Sequence, residues 1–121
     1  MKTKSMKLFG ASLAAAVWLG MPVSTARAAE TKSVKGEVVD LMCYLDHGAK
    51  GDKHASCAKT CIESGGPVGL LTEDNQLYLV IGEHKPLNDK LAPLAAKTVT
   101  LKGKVVERNG MKMIENAEIE K

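Results

Sequence analysis

Hydrophobic and polar positions along the chain fall into blocks whose spacing predicts five β-strands and two short helices. Residues 34–41 (VKGEVVDL) are rich in β-branched side chains and predict the first strand. Residues 52–64 (DKHASCAKTCIES) contain good helix formers, with Asp52 as a candidate N-cap, and the Gly-Gly-Pro that follows would end a helix. The first half of the pattern therefore predicts a strand and then a short helix.

The next block predicts a hairpin and a second short helix. Two apolar runs, at 68–71 and 76–81, are separated by the turn-forming residues 73–75. Beyond them, the stretch LNDKLAPLAAK repeats its apolar residues at a helical period, with Asn88 as a candidate cap. Pro93 lies inside this stretch and keeps the helix short or irregular.

The last block, residues 98–121, alternates apolar and polar residues on both sides of Asn109-Gly110, a pair typical of tight hairpin turns. Five strands with a helix between the third and fourth give the chain order of a mainly β, five-stranded OB-like barrel, with an additional helical insertion at 42–66. Gly36 and Gly103 fall inside strand patterns and fit sharp bends or bulges. An open antiparallel α+β sheet with helices on one face is the alternative.

The N-terminal residues before this pattern are typical of a secretory signal peptide. Three lysines precede an apolar run over residues 8–21, and small residues at 26–28 predict cleavage after Ala28. The apolar run is short for a membrane span, although a retained anchor is the alternative. We predict a periplasmic or secreted mature chain, residues 29–121, that forms one domain and is not stably inserted in a membrane.

Removal of the predicted leader changes the composition of the chain. Its loss removes four of the 17 basic residues, which leaves 13 against 14 acidic residues and a net charge of −1. Tyr44 and Tyr78 are then the only aromatic side chains of the Phe, Trp and Tyr class. A near-neutral chain with so few aromatics does not favour a nucleic-acid partner. A domain of this size buries a modest core, so a metal or a disulfide would be a useful staple.

All three cysteines and two of the three histidines lie between residues 43 and 61, spaced C-x3-H-x6-H-x2-C-x3-C. On the predicted helix, His54, Cys57 and Cys61 are spaced i, i+3 and i+7 and share one face. Cys43 and His47 lie upstream, beside two glycines that allow the chain to fold back across that face. These five residues are the predicted metal ligands.

Thiolates and imidazoles together suit copper(I), zinc or an iron centre, and they disfavour calcium and magnesium, which prefer oxygen ligands. The spacing therefore predicts a copper or zinc ion as cofactor. The predicted function is metal handling, or electron transfer if the metal cycles between oxidation states. Met42, Met111 and Met113 are candidate soft donors for copper, but ordinary packing in the core is the interpretation that we favour for them. Three aspartates, at positions 40, 46 and 52, flank the segment and either orient the imidazoles or are solvated.

A disulfide is the alternative to a metal in an oxidising compartment. Cys43 would pair with Cys57 or Cys61, which leaves one free thiol and indicates a disulfide-stabilised redox or interaction protein. The interleaved histidines have no role in that interpretation, so we favour the metal. His84 stands apart and is predicted to be a solvent-facing loop residue.

Enzymatic motifs are not evident: C-x-x-C, C-x-x-C-H, H-E-x-x-H and a glycine-rich phosphate loop are all missing from the sequence. The segments GEVVDLMCYLDHG, KHASCAKTCIESGGPVGLLT and TVTLKGKVVERNGMKMI resemble small secreted bacterial proteins of uncharacterised function that share a C-Y-x-x-H…H-x-x-C-x-x-x-C core. That resemblance implies an OB-like domain with a site at the same five residues, and it implies no reaction. Besides the metal ion, a periplasmic protein is the candidate partner.

Overall fold

The computed structural model describes residues 29–121, and the predicted leader lies outside the described residues. The strands are β1 (Glu30–Asp40), β2 (Val68–Leu71), β3 (Leu77–Val80), β4 (Thr98–Arg108) and β5 (Met111–Ile119). The helices are α1 (Leu41–His47), α2 (Ala55–Glu63) and α3 (Asn88–Leu91), with 3₁₀ turns at Asp52–His54 and Ala92–Leu94. None of the helices in this part of the chain is long and apolar enough to cross a membrane.

The five strands close into a barrel in the order β1-β2-β3-β5-β4. Neighbouring strands are antiparallel except β3 and β5, which run parallel with Leu79 opposite Met113 and Val80 opposite Ile114. This arrangement confirms the OB-like, mainly β fold predicted from the pattern, and the closed barrel excludes the open sheet. The final hairpin turns at Asn109 and Gly110, whose φ angles of 52° and 82° are those of a turn with both central residues left-handed.

At two strand glycines, the backbone of one barrel strand comes close to atoms of a neighbouring strand. Strand β1 pairs with β4 over residues 30–37 and with β2 over 37–40, and Gly36 lies where the two pairings meet. A Cβ atom on Gly36 would lie 2.6 Å from the carbonyl oxygen of Leu71. Gly103 lies at the register shift between Lys102 and Lys104, where the extra residue belongs to β5, so the bulge predicted near Gly103 is on the opposite strand.

The core fills the barrel and continues under α2. Its most buried side chains come from all parts of the chain: Val38, Ile62, Leu70, Leu91, Leu101 and Ile114. Each such side chain contributes about 1.5–3 kcal/mol by leaving water. Because side chains alternate along β1, Val39 points away from this core and forms a smaller cluster with Leu41 and Leu71, on which α1 rests.

Several predicted boundaries were wrong. Leu41 is the first residue of α1, a helix that the pattern did not predict. The strand ends at Asp40, whose side chain caps this helix. Asp52 begins a 3₁₀ turn and caps nothing through its side chain. Asn88 is the first residue of α3. Its side chain instead donates hydrogen bonds to the carbonyl oxygens of Ile62 (2.7 Å), in the last turn of α2, and Gly66 (2.8 Å), beyond that helix.

Candidate metal centre

Three thiols converge where α1 and α2 meet. Cys43 is on α1, and Cys57 and Cys61 are one turn apart on α2. The three sulfur atoms all lie within 4.8 Å of one another. All three cysteines are free thiols, with Cys57 exposed and the other two half-buried. The structure therefore brings together three of the five predicted ligands.

Asp40 positions Cys43. Its carboxylate oxygens accept hydrogen bonds from the backbone N–H groups of Met42 and Cys43, both at 3.2 Å, which is the usual way an aspartate caps a helix N-terminus. Gly48 ends the helix in a left-handed conformation with φ of 73°. Helix α1 also lies very close to β2, because a Cβ atom on Gly69 would be 2.5 Å from the Leu41 side chain.

The other two thiols are held by the packing of α2 on the barrel. Ala58 and Ile62 are buried on one side of this helix, and the Asn88 side chain bonds its last turn. The loop between the helices is tied to the barrel, since the Gly51 N–H donates to the Glu37 carboxylate. Gly51 has a φ of 76°, so the glycines act as predicted in folding the chain back.

The arrangement raises the pKa of two thiols. A hydrogen bond to the Asp40 carboxylate, followed by desolvation and by the negative charge of Asp40 and the other thiolates, raises the pKa of Cys43 from 9.0 to about 12. Desolvation, and then the Asp40 charge, raises the pKa of Cys61. Negative charge accumulates here when the thiols ionise, which is the electrostatic situation that a bound cation relieves.

The two predicted histidine ligands lie beside the sulfurs and are not part of that close group. His54 borders a narrow cavity that is also lined by Asp40, Cys43 and Cys57. The ring of His47 contacts the ring of His54 edge-on, with 6.5 Å between centroids, and its Nδ1 is 3.2 Å from an Asp46 carboxylate oxygen. The imidazoles thus form a pair at the margin of the thiol site.

The remaining sequence candidates fall in different surroundings. His84 is exposed in the connection between β3 and α3, as predicted for a loop residue. Met42 and Met111 are 62% and 70% exposed, so the expectation that they pack in the core was wrong. Asp52 is exposed and Asp46 contacts His47, whereas Asp40 is 2% exposed and has a structural role that sequence reasoning did not assign.

Comparison with known proteins adds no assignment. A scan against protein-family models, a search of curated proteins and a search of solved structures found no match to this chain. The case for function therefore depends on the chemistry of the residues themselves.

Proposed function

We propose that this protein binds a transition-metal ion, copper or zinc, between Cys43, Cys57 and Cys61. The observation that carries the proposal is the convergence of three sulfur atoms, from two helices, within 4.8 Å. With metal–sulfur bonds of about 2.3 Å, thiolates that share one ion are roughly 3.8–4.0 Å apart. Small side-chain rotations are enough to close that difference, so the helices need not move.

The charge of the site supports a cation. Without a metal, the Asp40 carboxylate and the neighbouring sulfurs keep the Cys43 thiol protonated, as its raised pKa indicates. A cation reverses this preference, because thiolate is the form that binds metal. Binding would then release protons to solvent.

The proposed role is metal handling rather than structural stapling. The helices that carry the thiols are already held by the Asp40 cap, by Asn88 and by the burial of Ala58 and Ile62. Cys57 is exposed, so one ligand of a bound ion would be open to exchange with an incoming donor. That accessibility suits storage or transfer to a partner. We propose that this occurs in the periplasm, because the N-terminal residues are typical of a signal peptide.

A metal titration tests this proposal. The reduced mature chain, residues 29–121, is titrated anaerobically with copper(I) and separately with zinc, and the thiols left open to alkylation are counted by mass spectrometry. We expect one equivalent of metal to protect three thiols. Cys57→Ser should abolish this protection at equal metal, whereas Ser56→Ala, a change at the adjacent exposed residue, should retain it. Three freely alkylated thiols both at excess copper(I) and at excess zinc would contradict the proposal.

A disulfide is the second candidate, because the same convergence favours pairing of Cys43 with a thiol of α2. Protein isolated from an oxidising compartment without reductant distinguishes the two. A mass lower by two hydrogens, with one alkylatable thiol, supports the disulfide; three thiols recovered after chelation support the metal.

A further inference from the structure

We infer that the three-sulfur site is built for copper(I), held by Cys43, Cys57 and Cys61 alone, in preference to zinc. The inference depends on the proposed metal-binding function and adds the identity of the ion and its coordination number. It follows from two observations. Only sulfur atoms lie close together in the described site, and the neighbouring oxygen and nitrogen donors contact other groups.

Within residues 29–121, the close group consists of three sulfurs and includes no imidazole nitrogen and no carboxylate oxygen. Asp40 is a candidate for a fourth donor, since it lines the same cavity as Cys43. Both of its oxygens, however, accept hydrogen bonds from the first turn of α1. Recruiting one of them to a metal would uncap the helix that carries Cys43.

The histidines are also engaged with other groups. His47 Nδ1 lies 3.2 Å from an Asp46 oxygen, and the His47 side chain is 55% exposed. Its ring packs edge-on against His54. Bringing His54 into the sulfur group would cost this ring contact and a change of side-chain position, although the backbone already places His54 one turn before Cys57.

Donor number separates the two metals. Zinc prefers four ligands in a tetrahedron, so three thiolates would leave its fourth position to water. Copper(I) is a soft ion for which thiolates are preferred ligands, and three of them satisfy it without a fourth. Copper(II) is a poor occupant, because two thiolates would reduce two copper(II) ions to copper(I) and form one disulfide. The ion must therefore arrive as copper(I).

A competition experiment tests the inference. The zinc-loaded mature chain receives one equivalent of copper(I), supplied anaerobically as a complex with a chelator of known affinity, and released zinc is measured with a colorimetric indicator. We expect stoichiometric release of zinc. His54→Ala and His47→Ala should each change copper(I) affinity by less than about threefold, whereas Cys61→Ser should lower it by more than about 100-fold through loss of a ligand.

The outcomes distinguish this inference from the function on which it depends. Zinc that stays bound after one equivalent of copper(I) overturns the inference and leaves metal binding intact. The same holds if His54→Ala lowers copper(I) affinity as strongly as Cys61→Ser. Binding of neither metal overturns both proposals. Circular dichroism of each metal-free variant confirms that the compared proteins are folded.

Discussion

Asp40 connects the fold of the site to its acid–base chemistry. It is 2% exposed, it caps α1 through two backbone N–H groups, and it raises the pKa of the Cys43 thiol. It was not distinguished from Asp46 and Asp52 at the sequence level, because all three aspartates flank the cysteines and α1 was not predicted. Its position at the strand-to-helix junction, followed eight residues later by Gly48, was the signal for a capped helix between them.

Asp40→Asn should separate these two effects. Asparagine keeps one acceptor oxygen and loses the charge, so we expect a loss of about 1–2 kcal/mol in the free energy of unfolding. The pKa of Cys43 should fall toward its ordinary value, and its alkylation at pH 8 should become faster. The measurement is urea denaturation combined with timed alkylation and peptide mapping. Asp46→Asn, at an exposed carboxylate, is the control, and an unchanged Cys43 rate in Asp40→Asn would contradict this account.

The three thiols should differ in reactivity in the reduced, metal-free protein. Cys57 is exposed, whereas Cys43 is half-buried and has a pKa raised to about 12. Because the thiolate is the nucleophile, iodoacetamide at pH 8 should label Cys57 first and Cys43 last. Mass spectrometry of peptides sampled over time gives the order. Preferential labelling of Cys43 would show that Asp40 does not protect it.

At the scale of elements, sequence reasoning succeeded where a local signal was strong and failed where tertiary contact decided. The Asn109-Gly110 turn follows directly from residue type, and Gly103 correctly indicated an irregular position in the sheet, although the extra residue is on β5. The prediction that the ligands share one helix face was correct for Cys57 and Cys61, which both lie on α2. It did not predict where His54 would lie, because the helix begins with a 3₁₀ turn that ends at this residue and alters the side-chain spacing.

Asn88 shows how one element supports another. Its side chain donates to the carbonyl oxygen of Ile62, in the last turn of α2, and to that of Gly66, three residues beyond the helix. We expect Asn88→Ala to lower the free energy of unfolding by about 1–3 kcal/mol, since both carbonyl groups lose a donor. The midpoint of urea denaturation measures this. Asp89→Ala, at the exposed neighbouring position, should change the midpoint little, and equal effects of the two substitutions would contradict the role given to Asn88.

At the scale of the whole molecule, the barrel was predictable because strand order, turn residues and glycines all agreed. The site was only partly predictable, because convergence of Cys43 with α2 depends on a seven-residue helix that packs over Gly69. That contact joins residues distant in sequence, so it cannot be predicted from the periodicity of hydrophobic residues. The cysteine spacing indicated soft-metal chemistry, while the distances between side chains decided which donors meet.

The raised thiol pKa values predict how stability depends on pH. In the metal-free protein, Cys43 has a pKa of about 12 when folded and close to 9.0 when unfolded, so the unfolded chain loses its proton first as pH rises. This contribution to stability is complete below about pH 9 and is lost between pH 9 and 12. The Cys61 shift acts in the same direction. Thermal melts across this range should show a shallower decline for Cys43→Ser; an identical slope would contradict the assignment.

The most direct test of the central claim is X-ray absorption spectroscopy at the copper edge of the mature protein loaded with one equivalent of copper(I). The account predicts three sulfur scatterers at about 2.3 Å, by analogy with the metal–thiolate bond length, and no nitrogen in the first coordination shell. Cys57→Ser should reduce the sulfur count to two. A spectrum of the unmodified protein fitted by two sulfurs, or by sulfur together with imidazole nitrogen, would contradict the account.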